Sequence, residues 1–181
     1  PAHAQFADIL SGWQNFQPQV ALIEGGDWPT PSDAQAAIEK YGEMGYVTYL
    51  AAQARVPVSS LEPPFREEVA FMIRKFDPMA VKLFYALRVV PQWRATGVNV
   101  EQAMAKLLAE PRFGPKGGWA KDTDIRVKDL DKLLQNQNWN VMNWRNITHE
   151  ALSSDGNDSM LNEIARASGD YRNQHMARKI V

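Results

Sequence analysis

Apolar residues recur at spacings of three and four from the start of the chain: Phe6, Ile9, Leu10, Trp13 and Phe16 fall on one face of a helix that Gln17-Pro18 closes. The next run, Val20-Ala21-Leu22-Ile23, is continuous and has no polar alternation, which is the pattern of a short strand buried on both faces in a parallel sheet. It stops at Glu24-Gly25-Gly26-Asp27-Trp28-Pro29. A helical pattern then resumes behind the capping-box sequence Ser32-Asp33-Ala34-Gln35, with apolar positions at Ile38, Tyr41, Met44, Val47, Leu50 and Ala51, and with Gly42 and Gly45 as weak points before it ends near Arg55. Val56 to Glu62 reads as a second short strand, stopped by Pro63-Pro64, with Pro57 confined to its first residues or to an edge. Strand, capped helix and strand in this order predict a right-handed, parallel βαβ unit.

The rest of the chain reads as helical. Pro64 opens a helix with Glu67 and Glu68 in its first turn and Val69, Met72, Ile73 and Phe76 as its apolar face. Asp77-Pro78 is an N-cap followed by the first helical position of the next helix, whose apolar residues Leu83, Phe84, Leu87 and Val90 run up to a stop at Pro91. Asn99 opens another helix through Met104, Leu107 and Leu108. The segment Pro111 to Trp119, with two prolines and three glycines, is a candidate lid or hinge. Helical stretches follow around Leu130, Leu133 and Leu134 and from Asp158 onward, whereas Asn136 to Asn146 has no clean period. The expected fold is helix-rich α/β, a βαβ unit with a short parallel sheet packed by many helices. It is one domain over residues 1–181, either whole or a piece of a longer α/β domain.

Composition narrows the chemistry. A chain of 181 residues is long enough to bury a core without disulfides, and the absence of cysteine rules out disulfides, thiol catalysis and cysteine-ligated metal. Twenty basic residues against 21 acidic ones leave a formal charge of -1, so no overall field draws the protein to nucleic acid. No apolar run approaches the roughly 20 residues that span a bilayer. A soluble, cytoplasmic protein with no nucleic-acid partner is the expectation.

In a parallel pair both strands end at one edge of the sheet, and open α/β sheets bind ligands at that carboxyl edge. Glu24 and Glu62 both fall there, just after their apolar runs. Paired carboxylates suit general acid–base work or a divalent metal; each also suits a plain helix cap or a solvated strand end. Asp27 and Trp28 line the same crevice in this reading, and Arg66, just past the second strand, reaches an anionic ligand or pairs with Glu67 or Glu68. In the last helix Arg172 and His175 stand one turn apart, an anion clamp beside a general base or metal ligand. Ser59-Ser60 offers hydroxyls without the glycine-flanked elbow of a serine nucleophile, and His3 and His149 stand alone.

Three stretches together resemble the TraB/Tiki/ChaN-like group, the erythromycin-esterase-like superfamily of α/β proteins: "VALIEGG" from Val20, the segment Ala51 to Pro64 with its "VPVSSLEPP", and the late-helix "YRNQHMARKI". The resemblance implies a metal-dependent hydrolase or peptidase ancestry, with some members binding haem or acting in signalling. It puts the family's strand-end glutamate on Glu24 and its late-helix arginine on Arg172. The chain lacks both of the family's G-x-x-H motifs, one before the first helix and one after the last. The resulting expectation is a metal-dependent hydrolase or peptidase. Glu24, Glu62 and Arg172 are its catalytic set, Glu24 and His175 its ligands to a divalent metal, and Asp27, Trp28, Arg66 and His175 contact the bound small molecule or peptide. The alternative is a non-catalytic protein that holds haem, another small ligand or a partner on the same scaffold.

Overall fold

The computed structural model describes residues 4–25, 29–137, 139, 141, 143–156 and 159–180. They are helix-rich with a two-stranded parallel sheet, and they divide into two compact units: residues 1–63 with 175–181, and residues 64–174. Among the described residues no helix is long and apolar enough to cross a membrane.

In the first unit, helix α1 (Ala4–Phe16) lays Phe6 against Tyr46, edge to face with ring centroids 5.6 Å apart, and Leu50 completes a small core. Ile9, Leu10 and Trp13 pack around it, as the spacing predicts, but Phe16 at the end of the same stripe is 88 % exposed. Strand β1 (Ala21–Ile23) pairs in parallel with β2 (Val58–Ser60), Leu22 opposite Ser59. The ladder is extended by Ala21 N–H donating to Pro57 O (2.9 Å) and Leu61 N–H to Ile23 O (2.8 Å). Pro57 thus serves at the strand entrance, where its missing N–H costs nothing. The expectation of burial on both faces is corrected: Ala21 and Ile23 are buried while Leu22, on the opposite face, is exposed, and Val58 is exposed although it pairs with Ala21 and shares its face.

Helix α2 (Ala34–Ala54) lies between the strands in sequence. Its N-cap is Asp33, whose carboxylate accepts from Ala36 N–H at 2.8 Å; the helix starts one residue later than the Ser32 capping box predicts, and Ala36 at its third position has no side-chain acceptor to complete a box. Gly42 breaks the helix with φ 60° and ψ −140°, a conformation that favours glycine. The turn brings the Ala37 carbonyl oxygen so near Gly45 that a Cβ there would lie 2.4 Å from it. Both glycines read as weak points are therefore one device: the first bends the helix and the second lets the bent halves touch.

The second unit contains α3 (Phe65–Met72), α4 (Pro78–Leu87), α5 (Val90–Ala95), α6 (Val100–Leu108), α7 (Leu130–Asn136) and most of α8 (Met160–Ile180). Helix α4 is buried along its length from Ala80 to Leu87 and is the centre of a core that includes Val69, Met72, Met104, Leu130, Leu134, Trp144 and Ile164. Its start is as predicted, Asp77 accepting from Ala80 N–H at 2.9 Å with Pro78 in the first turn. Asn99 likewise accepts from Gln102 N–H at 3.0 Å to open α6. Pro91 was expected to stop a helix; it instead sits in the first turn of α5, where its missing N–H has no helical partner to lose. The candidate lid is also corrected. Residues 111–119 form two 3₁₀ turns that bury Phe113 and Trp119, and the Trp119 indole N–H donates to Arg112 O at 2.8 Å.

Three buried ionisable groups, Glu68, Tyr85 and Lys82, mark this core. Glu68, 5 % exposed, accepts from the Tyr85 hydroxyl at 2.6 Å and the Ser168 hydroxyl at 2.5 Å through the same oxygen, tying α3, α4 and α8 together. Burial first, and then the Glu68 charge, push the Tyr85 phenol well above its ordinary value of 10.0, so Tyr85 donates at every physiological pH. Lys82, one turn away on α4, has its ammonium 5.6 Å from the Trp119 ring centre.

Candidate functional site

The parallel register puts the ends of β1 and β2 side by side, so the residues that follow them share one edge. Glu24 leaves β1 exposed to solvent, and Gly25 follows with φ 131°. On β2, the Ser60 hydroxyl donates to the Gly25 carbonyl and accepts from Glu62 N–H at 3.1 Å, stitching the two strand ends together. Glu62 is half-buried two residues beyond β2. Lys179 reaches the same edge from the last turn of α8, its ammonium donating to Ser60 O at 2.6 Å.

All of these residues belong to the first unit. His175 does too. It precedes Lys179 by four residues and so shares its helix face, with Nε2 buried and without a hydrogen-bond partner among the described residues. Of the residues selected from sequence, Glu24, Glu62 and His175 are thus members of one unit. Arg66, exposed on α3 with its stem 3.4 Å from where a Gly118 Cβ would stand, and Arg172, half-buried on α8, belong to the second. Asp27 and Trp28 lie outside the described residues.

The arrangement offers a solvated carboxylate, a second carboxylate and an ammonium at one sheet edge. That set can accept a proton from water and hold an anionic or carbonyl oxygen. Ser60 is no free nucleophile, because its proton is committed to the Gly25 carbonyl. Among the described residues no group of three or more His, Cys, Asp or Glu side chains is placed to hold the divalent metal expected at Glu24 and His175. Lys179 is the residue that sequence reasoning missed. Its signal was its four-residue spacing from His175, but the selected pair on that helix was Arg172 with His175. No protein-family model, curated protein or solved structure matches the chain.

Proposed function

We propose that the carboxyl edge of the β1–β2 pair is the working site of a hydrolase-like α/β protein, as the resemblance to the TraB/Tiki/ChaN-like group implies, and that it acts on a small molecule or peptide. Glu24 is the general base that activates water. Lys179 holds the substrate's carbonyl or carboxylate oxygen, and Glu62 supports the edge. The reading rests on the first unit alone. The observation that carries it is the 2.6 Å hydrogen bond from Lys179 Nζ to Ser60 O, which brings a cation to the edge where Glu24 ends its strand.

A panel of chromogenic esters and short peptides tests it. Glu24→Gln is expected to lower kcat/KM by about 100-fold, the lower end for loss of a positioned general base, with an unchanged circular-dichroism spectrum; Lys179→Ala is expected to raise KM. Unfolding of either variant would make the residue structural and remove the site. The second reading, a non-catalytic holder of haem or another small ligand, is favoured by the commitment of the Ser60 proton and by the lack of a metal-ligand group among the described residues. It predicts no hydrolysis by the native protein and a ligand, visible by mass spectrometry, that Glu24→Gln releases.

A further inference from the structure

The second unit contains a cavity of about 270 Å³ whose lining includes Trp139, Thr148, Glu150, Ser159, Leu161 and Asn162. Its size suits a ligand smaller than a drug-sized molecule, and its mixture of an aromatic wall with a few polar groups is that of a binding pocket. The donors and acceptors in it are unequal. Asn162, 3 % exposed, spends both Nδ2 protons on backbone carbonyls, Glu150 O at 3.2 Å and Ser153 O at 2.8 Å. Ser159 spends its hydroxyl proton on Asn162 Oδ1 at 2.5 Å. The Ser159 oxygen also accepts from Asn162 N–H and the Thr148 oxygen from Ala151 N–H, both at 3.3 Å, which leaves Thr148 a proton to donate; the exposed Glu150 carboxylate is the acceptor in the lining with no hydrogen bond or ion pair among the described residues.

No lysine, arginine or histidine lines this cavity among the described residues, and Glu150 is the charged residue in that described lining. A second cavity meets it at Glu150, where Asp155 adds another carboxylate beside His149. An unpaired carboxylate next to an indole is the pairing that binds organic cations, the ring face through its quadrupole and the carboxylate through charge. We propose that this cavity binds a small organic ammonium ion, with Glu150 as its counter-charge and Trp139 as its aromatic wall. An anion would meet no cation among the described lining residues, and a neutral polyol would gain nothing from the Glu150 charge.

Full-length protein titrated separately with choline, ethanolamine, glucose and acetate tests the assignment, read by calorimetry and by the Trp139 indole N–H resonance, assigned with Trp139→Phe. Choline or ethanolamine is expected to shift that resonance saturably. Glu150→Gln is expected to weaken the binding at least about tenfold, and Glu150→Asp, which keeps the charge, to retain most of it. Glu24→Gln leaves this binding unchanged, which separates the cavity from the strand-edge site. Absence of a saturable shift with both amines, equal binding of glucose or acetate, or undiminished binding by a folded Glu150→Gln would each overturn the proposal.

Discussion

Lys82 carries its ammonium into the core of the second unit at 2 % exposure, with Asp124, 4.0 Å away and 82 % exposed, as its counter-ion. Desolvation dominates and holds its pKa below the ordinary 10.5, against the raising influence of Asp124. Below its depressed folded value Lys82 is charged in both folded and unfolded states, and the folded state bears the cost of burying it. As pH rises through the depressed folded value, the folded protein releases its proton before the unfolded chain does, so stability increases until the unfolded lysine titrates near 10.5. Lys82→Met is expected to raise the stability at neutral pH by about 1 kcal/mol and to lack that alkaline gain. Urea midpoints of the two proteins at neutral pH and just below 10.5 check both parts. Lys82 escaped the sequence reading because periodicity selects apolar residues, and its neighbours Leu83, Phe84 and Leu87 satisfied the pattern by themselves. Lys179 escaped for another reason: its partner is 119 residues away, a separation that no local spacing encodes.

At the scale of elements, the bend in α2 reverses the usual effect of alanine in a helix. Propensity alone would have Gly→Ala stabilise an interior position by about 1 kcal/mol. Gly42→Ala instead forces a side chain into φ 60°, ψ −140°, and Gly45→Ala drives a Cβ against the Ala37 carbonyl. Each is expected to destabilise the first unit by roughly 1–3 kcal/mol, and an increase in thermal midpoint for either variant would show α2 to be straight. The caps at Asp77 and Asn99 and the weak points in α2 were legible because a cap or a glycine acts through its own backbone. The exposure of Leu22 and the role of Pro91 were not. Leu22 is apolar like its neighbours, and only what covers each face of the sheet decides which of them is buried. Pro91 obeys the same steric rule at the end of one helix and at the beginning of another; the tight turn at Arg88-Val89 selects the second.

For the whole molecule, a helix-rich α/β composition with one short parallel pair was readable from the alternation of patterns along the chain. The division into two units was not, because Pro63-Pro64 at the first boundary reads equally as a strand stop and a helix start, and α8 runs through the second boundary without a break. Their cores differ in size. The first unit buries Phe6, Tyr46 and Leu50 as its cluster, whereas the second gathers fully buried residues from α3, α4, α6, α7 and α8. Opening free energies follow the buried apolar contacts that hold each region. Native-state hydrogen exchange is therefore expected to release the amides of β1 and α2 before those of α4; equal protection throughout would mean that the chain opens as one cooperative body.

The bond between Lys179 and Ser60 also bears on how the protein is made. Residues 175–180 complete a unit whose other members were synthesised long before, so every residue of the second unit leaves the ribosome while the first still lacks its last piece. The loop that must close is long, and contacts of such separation form late. The later-made unit is thus the one able to fold first. Through that interval β1 and β2 lack the Lys179 bond to Ser60, and a chaperone would meet the strand edge in the nascent chain before the last turn of α8 reaches it.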